Sequence, residues 1–267
     1  MITWLRIGFI VFTLVAVTLI LLPFQLVGLA FDLKIRRHIP RYWHRTACWL
    51  MGIRVHVHGK LDRRRPLMLA SNHVSWKDIM VLGAVADVAY IAKAEVANWP
   101  IFGILAKLQK TIFVAREQKR RTGDQVNEIA ERMTGGEIVV LFPEGTTSDG
   151  NRILDVKSSL FGAAAAAVPH TPDGVVHVQP VAIAYTRVHG MSMGHYHRPI
   201  AAWPGDIPLG PHLLGVLKEG ALDVIVSFGQ TVEFRAGDNR KILSQNVTGQ
   251  MRQMLVKHLR GRDYEEV

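Results

Sequence analysis

A histidine and an aspartate five residues apart, His73 and Asp78, stand in SNHVSWKD (71–78), directly after the apolar run LMLA (67–70). That pattern suits activation of a weak nucleophile. A carboxylate on one imidazole nitrogen fixes the tautomer and leaves the other nitrogen to take a proton from a hydroxyl. If LMLA is a strand and a helix starts near Val74 or Ser75, Asp78 lies about one and a third turns on and can face back to His73. The carboxyl end of a strand is also where α/β sheets hold their sites. An ordinary helix start reads the same way, with Asn72 or Ser75 as cap and Asp78 in the first turn. The spacing is not a metal signature, because helical ligand pairs favour i, i+4.

Three further stretches carry reactive residue types. In FPEGTTSDG (142–150), Glu144 leaves the apolar run IVVLF through Pro143 and Gly145 into Thr146 and Thr147. Gly145 permits close approach of backbone to a ligand, and the threonine hydroxyls and N–H groups can donate to a polar head group. A plain turn with capping residues has the same composition. KTIFVAR (110–116) ends a strand-like run on Arg116, a residue able to clamp phosphate or carboxylate and equally at home as a solvated charge. VQPVAIAY (178–185) sets Pro180 inside an apolar run, which predicts a bulge, an edge or a turn there.

In chain order, NHVSWKD, KTIFVAR, FPEGTTS and VQPVAIA resemble the four sequence blocks of the PlsC-type glycerolipid acyltransferases, over roughly residues 66–185. Each block is weak alone; their coincidence is specific. The resemblance implies that His73 is the general base and Asp78 its partner. It implies that Arg116, Glu144 and Gly145 help bind the acceptor, with the donors of Thr146 and Thr147 beside them, and that Pro180 shapes the acyl-donor side. The implied reaction moves a fatty acyl group from acyl-carrier protein or coenzyme A to the free hydroxyl of a lyso-lipid, with no metal and no bound cofactor. One position departs: phosphate-accepting members usually read E-G-T-R, and Thr147 stands where that arginine would be. The wording of NHVSWKD and FPEGTTSDG resembles the branch that acylates lyso-ornithine lipid, whose acceptor carries no phosphate. Lysophosphatidic acid is the alternative acceptor, with Arg116, Arg152 or Lys157 meeting its phosphate. A lipid-binding protein without activity is the reading from another class, and it has no physical need for both His73 and Asp78.

The remaining sequence must place these blocks. Strand-like runs at 67–70, 88–92, 111–114, 138–142, 175–185 and 223–228 alternate with helical stretches at 76–86, 118–133, 157–168 and 240–260. This predicts an α/β domain, a mixed sheet covered by helices, over 66–267. Ahead of it, Ile7 to Phe31 holds no charged residue and is long enough to cross a bilayer. A cleaved signal peptide and a helix that turns back at Pro23 are the competing readings of segment 1–33.

Of the net charge of +10, +9 falls between Lys34 and Arg65, ten Lys/Arg against Asp62. Basic residues following an apolar segment suit an anionic lipid surface, and they place the catalytic domain on the cytoplasmic side of the inner membrane. No aromatic spacing suits base stacking, so nucleic acid is not an expected partner. Within 34–65, residues 34–51 read either as an interfacial amphipathic helix or as a surface helix packing Trp43 and Trp49 inward. The one cysteine, Cys48, excludes an internal disulfide.

Overall fold

In the computed structural model, which describes residues 2–115, 122–205 and 207–261, the apolar runs become one mixed sheet. Among the described residues its strands are β1 (Ile53–His58), β2 (Leu67–Ser71), β3 (Val88–Lys93), β4 (Ile112–Val114), β5 (Ile138–Leu141), β6 (Val175–Val188), β7 (Met191–Ser192), β8 (Leu222–Phe228) and β9 (Val232–Arg235). They run in the order β1-β8-β6-β2-β5-β3-β4, with β7 and β9 pairing along β6. β6, β2, β5, β3 and β4 are parallel, and β8 and β1 run against them. All five carboxyl ends of the parallel set therefore share one edge, and His73 lies just beyond one of them.

The helices are α1 (Ile2–Ala30), α2 (Ile35–Leu50), α3 (Lys77–Val85), α4 (Phe102–Leu108), α5 (Thr122–Thr134), α6 (Gly162–Ala167), α7 (Leu209–Glu219) and α8 (Arg240–Leu259). Alternate strand residues feed two cores, as the pleat requires. Leu67 and Leu69 pack under α1, α2, α3 and α7, while Met68 and Ala70 pack under α5, α6 and α8.

Three expectations are refined. The sheet begins earlier than residue 66: IRVHVH, placed in the connector 34–65, is edge strand β1, with Arg54 and His56 turned to solvent and Ile53 buried. Pro180 makes neither a sheet edge nor a turn, because β6 is central. On the far side from β2, β9 pairs with β6 up to Val178 and β8 from Val181, so Pro180 falls in the gap between two ladders. Its carbonyl accepts the Gly229 N–H on that side at 2.8 Å, and the same pleat aims its proton-less nitrogen there. The helix expected over 118–133 is α5 from Thr122; Arg116 lies outside the described residues.

α1 is one continuous helix through Pro23, about 43 Å long at 1.5 Å per residue. The return at Pro23 does not occur. One side of α1 is docked along its length: Arg6 donates to the Lys218 carbonyl at 3.1 Å, Ile7 and Ile10 enter the core, and Thr18 accepts the Trp43 indole N–H at 2.8 Å. The other side exposes Phe9, Phe12, Leu19, Ile20 and Phe24, an apolar surface that suits lipid and not water. In α2, Trp43 packs inward as the surface-helix reading expects, whereas Tyr42 and Trp49 face out as the interfacial reading expects.

Candidate active site

Beyond Ser71 the chain turns through 72–76 into α3. Asn72 anchors the turn by taking the place of a backbone pair with β6: it donates to the Ile183 carbonyl at 3.0 Å and accepts the Ile183 N–H at 2.7 Å. His73 Nδ1 then lies 2.8 Å from Asp78 Oδ2. The same oxygen accepts the N–H groups of Val74 at 2.6 Å and Ser75 at 2.9 Å, and Oδ1 accepts the Tyr185 hydroxyl at 2.9 Å. Four donors thus hold a fully buried carboxylate in one orientation. Facing an acceptor, Nδ1 carries the ring proton, which leaves Nε2 as the lone-pair nitrogen. The His73 side chain keeps 19% of its surface exposed, so the ring is within reach of a ligand. Phe142 stacks on it with centroids 4.0 Å apart and planes 17° from parallel, which removes the remaining rotation.

The loop 142–150 is tied to the same turn. Glu144 accepts the His73 N–H at 2.7 Å on one oxygen and the Leu154 N–H at 2.6 Å on the other, while Ser148 N–H donates to the His73 carbonyl at 2.8 Å. Burial pushes the Glu144 carboxyl above its ordinary range, the two N–H donors opposing. With both oxygens committed, Glu144 braces the backbone of His73. Gly145 turns the loop at φ +73°, a left-handed conformation that favours glycine. Thr146 is exposed, whereas Thr147 is buried and gives its hydroxyl to the Trp203 carbonyl.

Sequence reading missed the segment that covers this turn. Residues 201–203 have no regular structure and are fixed through their backbone: Trp203 N–H donates to Val74 at 2.8 Å, and Lys77 Nζ donates to Ala201 at 2.7 Å. The Trp76 indole donates to His212 Nδ1 at 2.9 Å, and His212 Nε2 faces the Ala202 carbonyl at 2.9 Å. Lys77 is wholly buried, its ammonium lying over the rings of Trp76 and Tyr185. No periodicity in the sequence marks it, because it occupies the inward face of α3 where an apolar residue is the rule. Arg198, also buried, donates to Asn151 and to the Met193 carbonyl, clasping loop 142–151 from the far side.

Burial lowers the Lys77 pKa from 10.5 to about 7, against the pull of Asp78. Between those values the unfolded chain binds a proton that the fold releases, so the lysine's contribution to stability rises with pH. The melting temperature of the wild type is expected to gain on that of Lys77→Met as pH goes from 7 to 10. Parallel curves for the two proteins would show that Lys77 stays charged inside the fold.

Five of the eight site residues expected from sequence thus meet around one turn: His73, Asp78, Glu144, Gly145 and Thr147. Thr146 stands exposed beside them, and Pro180 lies in β6, the strand that pairs with β2 and also carries Ile183 and Tyr185. Among the described residues no group of three or more His, Cys, Asp or Glu side chains is arranged to hold a metal ion.

A hydrogen-bonded His–Asp pair at the carboxyl end of a parallel strand, with one imidazole nitrogen open, is an arrangement able to take a proton from a hydroxyl. The sequence pattern of the acyltransferase family matches residues 52–184. The chain is 63% identical to the lyso-ornithine lipid O-acyltransferase of Rhizobium meliloti, over 98% of this chain and 90% of that protein. It is 49% identical to the lyso-ornithine lipid O-acyltransferase of Brucella abortus, over the whole of both. Its fold matches the crystal structure of the 1-acyl-sn-glycerophosphate (LPA) acyltransferase PlsC from Thermotoga maritima at a TM-score of 0.66 and 20% identity, over 96% of this chain and 95% of that one. The chain belongs to the acyltransferase family and is an enzyme of acyl transfer.

Proposed function

We propose that this enzyme esterifies the free 3-hydroxyl of lyso-ornithine lipid with a fatty acyl group delivered as a thioester of acyl-carrier protein or coenzyme A. The observation that carries the reading is the His73–Asp78 pair, held at 2.8 Å with Nε2 left open. His73 Nε2 takes the hydroxyl proton as the oxygen attacks the thioester carbonyl. The tetrahedral intermediate then collapses, the C–S bond breaks, and the imidazolium gives its proton to the leaving thiolate, which departs as the thiol. Asp78 holds the ring and stabilises its transient positive charge. No step needs a metal or bound cofactor.

The acceptor follows from two supports: the activity that the names of the two relatives state, and Thr147. A dianionic phosphomonoester calls for charge-assisted donors, each contributing roughly 1.5–3 kcal/mol. Thr147 supplies no charge, and its hydroxyl is already given to Trp203. Thr147→Arg is therefore expected to move the ratio of specificity constants towards lysophosphatidic acid and away from lyso-ornithine lipid. Thr147→Val, which loses the Trp203 bond and adds no charge, separates the two effects and should leave the ratio near that of the wild type. A wild-type enzyme that already prefers lysophosphatidic acid would overturn the lyso-ornithine reading while leaving acyl transfer intact.

We place the enzyme on the cytoplasmic face of the inner membrane, with the exposed face of α1 immersed in lipid. α2 runs beside α1 and carries Arg37, Arg41 and Arg45 at its surface, charges that resist the hydrocarbon layer. Immersion of α1 along one leaflet keeps that row at the head groups, where each basic residue contributes about 1 kcal/mol on an anionic surface.

A further inference from the structure

The turn after β3 exposes apolar side chains that the fold leaves uncovered. The chain leaves β3 through a short 3-10 turn, Ala94–Asn98, and enters α4 over WPIF (99–102). Ile101 sits there at φ +62° and ψ −57°, and the Phe102 N–H donates to the Pro100 carbonyl at 2.6 Å. That is a γ-turn of the strained hand, closed on a β-branched residue, the side-chain type least suited to positive φ. The packing behind it holds the shape. Gly103 N–H donates to the Trp99 carbonyl at 2.9 Å, and a Cβ on Gly103 would stand 2.4 Å from the Ala97 carbonyl oxygen. The strain gains no burial within the fold: Ile101 is 69% exposed and Ile104 63% exposed. Strain of this kind persists where the surrounding structure enforces it and function uses it.

What covers these side chains follows from their neighbours. α4 is docked on α1: the Gln25 amide donates to the Leu108 carbonyl at 2.6 Å. An open apolar cleft between the two helices is lined by Leu21 and Leu22 on one side and by Leu105 and Leu108 on the other. Ile104, Leu105 and Leu108 share one face of α4, and Ile101 precedes it at the N-cap. The lipid-suited surface of α1, at Ile20 and Phe24, therefore continues across the cleft to the tip of α4. Lys107, also exposed, flanks that face, where its stem lets the ammonium reach head groups. Towards the site, Trp99 meets Trp203 edge to face at 6.4 Å, and Trp203 is the residue whose N–H donates to Val74 beside His73.

We propose that residues 100–104 are a second membrane-inserting element, an apolar lip that holds the mouth of the catalytic site against the bilayer. Ile101 and Ile104 enter the leaflet that takes the exposed face of α1. The Trp99–Trp203 pair stands at head-group level, where indole rings are favoured. A lipid acceptor then reaches His73 by lateral diffusion in the membrane. The inference rests on α1 lying in lipid, and adds to it which edge of the catalytic domain faces the bilayer.

Site-directed labelling of the full-length enzyme reads the insertion directly. Ile101→Cys, Ile104→Cys, Phe12→Cys and Ile242→Cys each carry an environment-sensitive fluorophore; Cys48, the one native cysteine, is buried. Phe12 is exposed on α1, and Ile242 is exposed on α8, across the sheet from α1. In vesicles of phosphatidylethanolamine and phosphatidylglycerol with a nitroxide on the acyl chain, quenching is expected at positions 12, 101 and 104 and not at 242. Quenching at 12 without 101 and 104, or equal quenching at 242, overturns the lip and leaves α1 in place. No quenching at 12 overturns the membrane placement of α1 itself. Ile101→Gly is the functional companion. Glycine adopts φ +62° without strain, so the variant should melt above the wild type, while its KM for acceptor presented in vesicles rises about tenfold with kcat held. An unmoved KM overturns the lip, whatever the melting temperature does.

Discussion

His73→Ala is expected to lower acyl transfer by a factor of about 10²–10⁴, the usual contribution of a positioned general base, while the protein stays folded. The loss follows from what the ring touches. Its Nδ1 is spent on Asp78, its face on Phe142, and only Nε2 is left for a hydroxyl whose own acidity is far too weak at neutral pH. Stability should change little because the brace around the turn runs through the His73 backbone, N–H to Glu144 and carbonyl to Ser148, and alanine keeps both. Initial rates at saturating acyl thioester, with a melting curve on the same sample, separate chemistry from folding. Activity within a few-fold of wild type would remove His73 from the mechanism.

Asp78→Asn should fall nearly as far, for a different reason. The amide oxygen can still accept from Val74, Ser75 and His73, and the amide nitrogen can donate to the Tyr185 hydroxyl oxygen, which is able to accept. The four contacts can therefore persist, with the Tyr185 hydroxyl proton losing its acceptor, and the main loss is the negative charge that steadies an imidazolium. A loss of order 10²–10⁴ in kcat with little change in acceptor KM is the expected signature. Asp78→Ala is the structural contrast: it strands the N–H groups of Val74 and Ser75 in a buried turn and should lower the melting temperature as well. An Asp78→Asn enzyme with near-normal kcat would show that the carboxylate only shapes the loop.

The parts of this architecture legible in the sequence are those in which side chains declare their surroundings. LMLA, IVVLF and DVIVSF are apolar because sheet residues buried on both faces must be, and the polar blocks following the first two mark the carboxyl edge. β1 stayed hidden because an edge strand alternates, and its outward Arg54, His56 and His58 merge with the basic run around them. α7 stayed hidden because Gly210, Pro211 and Gly215 break its helical signal. At the site, the His73–Asp78 contact follows from spacing. The strap 201–203 does not, since carbonyls and N–H groups fix it and any residue has those. Glu144 and Thr147 show the same limit: the sequence motif leads one to expect them beside the acceptor, and only coordinates reveal that their oxygens are already committed to His73, Leu154 and Trp203.

The most direct measurement joins the catalytic and substrate assignments in one reaction. Purified full-length enzyme in lipid vesicles is incubated with acyl-carrier-protein thioester and lyso-ornithine lipid, and the lipid product is identified by mass spectrometry, with His73→Ala alongside. The product expected is lyso-ornithine lipid plus one acyl group, ester-linked at the 3-hydroxyl, formed by the wild type and reduced at least a hundredfold in the variant. Acyl transfer to lysophosphatidic acid alone, or equal product from wild type and His73→Ala, would contradict the assignment.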